Sequence, residues 1–105
     1  MKKILIVIAD YYEDISSTLL KSAKRNLNNF SIKVIRVPGV FEIPITISKN
    51  IKKYDAFIAL GCVIKGETPH FDYICSSTIN ALMKLSIENK KPIGCLLYTS
   101  DAADE

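Results

Sequence analysis

Apolar and polar positions alternate along this chain in two rhythms, one suited to strands and one to helices. Ile4 to Ile8 is an unbroken apolar run, rich in β-branched residues and bounded by Lys2, Lys3 and Asp10. Such a run suits a central strand covered on both faces. After the polar, aromatic connection Asp10-Tyr-Tyr-Glu-Asp14, the residues Ile15, Leu19, Leu20, Ala23 and Leu27 recur at helical spacing. Asp14 or Ser16 is the expected cap, and Asn28 and Asn29 the close. Ile32 to Val37 reads as a second strand, broken by the turn Pro38-Gly39. Phe41 to Lys53 then places Phe41, Ile45, Ser48 and Lys52 on one helical track and Ile43, Ile47 and Ile51 on the adjacent one, with Pro44 early enough to be tolerated. Asp55 to Leu60 is a third strand, expected to end near Gly61. A helix from about Pro69 to Asn89 turns Ile74, Thr78, Leu82 and Leu85 inward, and Pro92 opens a fourth strand.

Strands alternating with helices in this order predict a three-layer αβα sandwich around a parallel sheet, joined by right-handed crossovers. Ligands of such sheets bind beyond the carboxyl ends of the strands. Three connections lie there: Ala9 to Asp14, Pro38 to Glu42, and Gly61 to His70.

Composition narrows the classes of function. A chain of 105 residues with 49% hydrophobic residues and a mean hydropathy of +0.18 is one globular domain. No apolar run reaches membrane-spanning length, and Ile4 to Ile8 lacks the cleavage site of a signal peptide. A cytoplasmic protein is expected. The net charge is +3, yet Asp101, Asp104 and Glu105 supply three of the eleven acids, so Met1 to Gly94 sets fourteen basic residues against eight acidic ones. The lysines read as solvated helix faces and turns, with no basic run interleaved with aromatics, so no nucleic-acid partner is expected. A small anionic substrate suits the balance better. Cys62, Cys75 and Cys95 lack metal-ligand spacing and read as small core residues in a reducing compartment.

The chemistry concentrates in Gly61-Cys-Val-Ile-Lys-Gly-Glu-Thr-Pro-His-Phe-Asp-Tyr73. A strand end runs into a glycine loop, and Thr68 then stands as helix N-cap with Pro69 at the first helical position. Free backbone N–H groups and the positive end of the helix dipole make this a seat for a phosphate. His70, the one histidine, stands beside it.

Three stretches together resemble the 6,7-dimethyl-8-ribityllumazine synthases of riboflavin biosynthesis. Val37-Pro-Gly-Val-Phe-Glu-Ile-Pro44 is similar to that family's VPGAFEIP segment, and Gly61 to Tyr73 to its GxVIRGxTxHxDY segment. Ala9-Asp-Tyr-Tyr-Glu-Asp-Ile15 resembles its ARFYxDI loop with two departures, and Lys53-Tyr-Asp-Ala56 also matches. The likeness runs from about Ile4 to Gly94. It implies a flavodoxin-like fold and a transferase that condenses 5-amino-6-ribitylamino-uracil with 3,4-dihydroxy-2-butanone 4-phosphate. It implies no metal and no organic cofactor, and a homo-oligomer of pentamers or their multiples with sites between subunits.

Carried onto this chain, the resemblance gives Tyr11 the stacking of the pyrimidine, a role that its π-face can fill. Asp10 stands where many members have Arg. Val40 and Phe41, through their backbone, and the Glu42 carboxylate would hold the ribityl chain. Taken by itself, Glu42 is a first-turn acid favoured by the helix dipole. Val63, Ile64 and Lys65 would line the substrate, and the backbone N–H groups of Glu67 and Thr68 would hold the phosphate. His70 would move protons, since an imidazole with an ordinary pKa near 6.5 both accepts and donates at neutral pH. Two other readings stand beside this one: a non-catalytic module holding a phosphorylated or flavin-like ligand, and the archaeal type of riboflavin synthase, which shares the fold.

The last residues break the pattern. Met1 to Gly94 is rich in Lys, Ile and Asn, whereas Cys95-Leu-Leu-Tyr-Thr-Ser-Asp-Ala-Ala-Asp-Glu105 ends in Ala and Asp. This string resembles the conceptual translation of a sequencing-library transposon adapter. The expectation is a partial synthase-like domain over 1–94 and a non-native tail over 95–105. The family's remaining strand, two helices, and the Arg and Lys near the substrate phosphate would then be missing. The 105-residue chain is expected to be poorly active and to expose an apolar sheet face.

Overall fold

A computed structural model describes residues 2–9, 13–65 and 71–101. Seven elements alternate as expected: β1 (Lys3–Ala9), α1 (Glu13–Arg25), β2 (Ser31–Val37), α2 (Glu42–Lys49), β3 (Ala56–Lys65), α3 (Phe71–Asn89) and β4 (Ile93–Asp101). The four strands form one parallel sheet in the order β2-β1-β3-β4. This is a flavodoxin-like α/β arrangement, and its order reverses between β1 and β3.

The unbroken apolar run of β1 is explained by its place between β2 and β3, with helices on both faces. Leu5, Val7 and Ala9 enter a cluster with Ile43 and Ile47 of α2, Phe57 and Ala59 of β3, and Leu82 of α3. Ile4, Ile6 and Ile8 face the other way, against Leu60 and the partly buried Leu20, Ala23 and Leu27. Side-chain alternation along one strand thus feeds two cores, one under α2 and α3 and one under α1. The two tracks of α2 separate as predicted, with Ile43 and Ile47 fully buried and Phe41 and Ile45 more than half exposed.

Four boundaries differ from the sequence reading. Helix α1 begins at Glu13, so Asp14 and Ser16 fall within its first turns, and their side chains lie outside the described residues. Acids there are favoured by the helix dipole all the same. Leu27 falls past the end of α1, yet its N–H donates to the Lys24 carbonyl at 3.1 Å and its side chain joins the α1-side core. Helix α2 stops at Lys49, because the Asn50 side-chain amide donates to the Thr46 carbonyl at 2.8 Å and short turns carry the chain on to Lys53. Strand β3 does not end near Gly61. It continues to Lys65 because β4 pairs with it throughout, from Phe57 opposite Ile93 to Lys65 opposite Asp101.

The cysteines also depart from expectation. Cys75 is half-buried and Cys95 exposed, since β4 is an edge strand whose α3-side face meets the exposed Met83 and Ile87. On the opposite face of β4, Leu96 is 51% exposed, since α1 packs mainly on β3 and β1.

Candidate functional site

The carboxyl ends of the strands form a step. Ala9 of β1 stands opposite both Val37 of β2 and Gly61 of β3, whereas β3 and β4 run on together through Lys65 and Asp101. Two strands therefore stop level with Gly61, and two project beyond it. The step lies at the point where the strand order reverses.

The connection after β2 is fixed directly onto the step. Val40, almost fully buried, is packed over Gly61: a Cβ on Gly61 would meet Val40 Cγ1 at 3.0 Å, the Ala9 Cβ at 3.3 Å and Leu97 Cδ2 at 3.4 Å. Glycine is needed here for close approach, and one point ties the end of β1 and the middles of β3 and β4 to the loop that enters α2. The Glu42 carboxylate folds back over the same loop, with Oε1 and Oε2 at 3.5 and 3.7 Å from where a Gly39 Cβ would stand. It is half-buried and presents acceptors to the strand-end side. Phe41 points elsewhere. Its ring is 55% exposed and lines a groove of about 550 Å³ between α2 and α3, with Ile45, Thr78, Lys84 and Leu85. Any part that Phe41 takes at the strand ends falls to its backbone.

Three helix N-termini come to this edge, and they differ as anion seats. In α2 the N–H of Glu42 donates to the Gly39 carbonyl and that of Ile43 to the Val40 carbonyl, each at 3.1 Å. The next residue is Pro44, which has no N–H, so the donors that an anion would use are spent. Helix α1 opens with Glu13 and Asp14 in succession, which repel one. Helix α3 opens at Phe71 with Asp72 as its first-turn acid and lies directly after the connection 66–70.

The sequence-predicted site residues divide accordingly. Val40 packs against Gly61, and the Glu42 carboxylate lies over Gly39 in the same loop. Val63, Ile64 and Lys65 belong to the projecting end of β3, paired with Thr99, Ser100 and Asp101, and not to a loop. Tyr11, Glu67, Thr68 and His70, with Asp10, lie outside the described residues. Among the described residues there is no group of His, Cys, Asp and Glu that could hold a metal ion, and no helix is long and apolar enough to cross a membrane. Lost hydration and the neighbouring Cys75 push the Cys95 thiol up. The sequence reading missed the role of Ala9 and Leu97 in holding Val40 and Gly61. The apolar character of both residues was the available signal, but it does not separate packing at a site from packing in a core.

Comparison with known proteins agrees with this geometry. The family model described as 6,7-dimethyl-8-ribityllumazine synthase matches residues 1–105. A protein of Renibacterium salmoninarum with that name is 36% identical over 102 residues, covering 94% of this chain and 64% of its own length. One of Corynebacterium kroppenstedtii is 37% identical over 105 residues, covering 98% and 66%. One of Cutibacterium acnes is 36% identical over 102 residues, covering 94% and 61%. The chain thus spans less than two thirds of the length of each of these relatives.

Proposed function

The chain belongs to the 6,7-dimethyl-8-ribityllumazine synthase family, and from that membership we propose that the whole protein condenses 5-amino-6-ribitylamino-uracil with 3,4-dihydroxy-2-butanone 4-phosphate. The observation that carries this reading beyond the family name is the junction at Gly61, where Val40 packs the β2–α2 loop against the end of β1 and the middle of β3. Two substrates must meet in reacting geometry, and a rigid seam between their two loops supplies it. The half-buried Glu42 carboxylate accepts from hydroxyls of the ribityl chain, and the backbone of Val40 and Phe41 borders it. Tyr11 stacks on the pyrimidine, with Val63, Ile64 and Lys65 along its edge. The substrate phosphate takes the backbone N–H groups of Glu67 and Thr68 at the start of α3, consistent with the closed N-terminus of α2 and the acidic one of α1.

His70, on the same connection, transfers protons. The carbonyl of the butanone phosphate and the pyrimidine amine form an imine with loss of water. The phosphate then leaves as inorganic phosphate, and ring closure loses a second water. Each step moves a proton between nitrogen, carbon or oxygen atoms, and imidazole serves as acceptor and donor near neutral pH. Neither a metal nor an organic cofactor is required by this sequence of steps.

The reaction is placed in the cytoplasm and in a homo-oligomer of pentamers or their multiples, whose subunits share sites. The segment from Cys95 onward is read as non-native on its change of composition, although Cys95 to Asp101 pair with β3 as part of β4. The 105-residue chain is therefore expected to turn over poorly beside the whole protein. The test is to supply both substrates to the whole protein and follow lumazine and inorganic phosphate together. Equimolar appearance of the two supports the reading. Ligand binding without product supports the non-catalytic module, and consumption of added lumazine supports the riboflavin synthase.

A further inference from the structure

The excess of basic residues does not surround the candidate site. It gathers at the opposite end of the sheet, where all four strands begin. Lys2 and Lys3 open β1, Lys52 and Lys53 lie in the turn entering β3, and Lys90 and Lys91 lie in the turn entering β4. These three strands are neighbours, and the three turns are stitched together. The Asp55 N–H donates to the Lys3 carbonyl and the Phe57 N–H to the Pro92 carbonyl. Lys91 Nζ donates to the Ile51 and Tyr54 carbonyls at 2.6 and 2.9 Å. The last turns of α1 and α2 add Lys24, Arg25 and Lys49. Nine of the fourteen basic residues thus share one end with two carboxylates, Asp55 and Glu88, in a chain whose net charge is only +3. One of those carboxylates is engaged, since Asp55 Oδ2 accepts from the Lys3 backbone N–H at 2.8 Å.

Attraction to helix C-terminal dipoles accounts for Lys24, Arg25 and Lys49. It does not account for Lys2, Lys3, Lys52 and Lys53, which are on no helix, are exposed, and make no ion pair among the described residues. A small anionic substrate bound at the far edge of the sheet does not account for them either. We propose that this end of the sheet is a sequence-independent nucleic-acid binding face, whose lysines neutralise backbone phosphates along the row of strand starts. The sequence offered no basic run because the face is assembled from separate turns, brought side by side at the strand spacing of about 4.8 Å. Lysine in place of arginine suits phosphate neutralisation and not base reading. Among the described residues only one exposed large hydrophobic, Ile87 in the last turn of α3, comes near this end, which is too little apolar surface to anchor on a membrane or form the core of a protein interface.

The test titrates the 105-residue chain into a fluorescent 20-base-pair DNA duplex between 50 and 200 mM salt. The proposal predicts saturable binding with a log–log salt slope of about −3 to −5, as expected for four or five neutralised phosphates. K52Q/K53Q should weaken binding at least fivefold at 50 mM salt, and the charge-matched K21Q/K84Q less than twofold, both with unchanged circular dichroism. Lack of binding, equal weakening by the two variants, or tighter binding to polyglutamate or to phosphatidylserine vesicles than to the duplex would each overturn it. None of the substituted residues belongs to the proposed synthase site, so the outcome is independent of that reading.

Discussion

Val40 Cγ1 lies 3.0 Å from where a Cβ on Gly61 would stand, closer than a real Cβ is normally approached. A methyl group at Gly61 therefore requires Val40, Ala9 and Leu97 to give by a few tenths of an ångström at the point where three strands and a loop are packed together. G61A is expected to cost about 1–3 kcal/mol, the usual range for overpacking, and to lower product formation by the whole protein. Urea unfolding of the variant checks the first effect. An unchanged midpoint would show that the loop yields freely and that the junction is not a rigid seam.

The Thr78 hydroxyl is buried, 1% exposed for the residue, and has no hydrogen-bond partner among the described residues. Removing a polar group that is already unsatisfied removes a desolvation penalty. T78V keeps the shape and should leave stability unchanged or raise it by up to about 1 kcal/mol. A clear loss on chemical denaturation would mean that the hydroxyl is engaged in the assembled protein, across the groove that it shares with Phe41 and Ile45.

Lys91 has the opposite character, because its ammonium satisfies two carbonyls of the α2–β3 turn. That turn holds Tyr54 edge-on against the buried Phe57, with ring centroids 6.1 Å apart. K91M retains the alkyl stem but orphans both acceptors, and should destabilise by about 1–3 kcal/mol. Hydrogen exchange should quicken at the amides of the 50–55 turn and not at those of β2. Uniform protection would contradict the clamp.

Much of the fold was legible because burial writes itself as pattern. The unbroken run of β1 announced a strand with a core on each face, and the track of Ile74, Thr78, Leu82 and Leu85 announced which side of α3 packs inward; the two tracks of α2 were legible, but not which of them is buried. What stayed illegible depended on partners distant in the chain. The continuation of β3 to Lys65 is set by β4, and nothing local to Val63 or Ile64 distinguishes a strand end from a loop. Gly61 looked like the end of a strand, whereas it is a point of close approach to Val40. The lysines looked scattered because their common end exists only after the sheet forms. At the site, the residues of the β2–α2 loop could be followed into the fold, while Tyr11, Glu67, Thr68 and His70 rest on the family motif.

The change of composition at Cys95 carries its own prediction. Genomic DNA read past codon 94 should replace Cys95-Leu-Leu-Tyr-Thr-Ser-Asp-Ala-Ala-Asp-Glu105 with a longer segment bearing an Arg and a Lys for the substrate phosphate, and an apolar surface to cover Leu96. The same eleven codons in genomic DNA would show the segment to be native.

The central claim is that the connection after β3 moves the protons of a two-substrate condensation, and H70A in the whole protein tests it most directly. Turnover to lumazine should fall about 10²–10⁴-fold, the usual contribution of a general acid–base group, while affinity for the pyrimidine changes less than about threefold. Turnover within a few-fold of the unsubstituted protein, or a loss that follows lost binding alone, would contradict it.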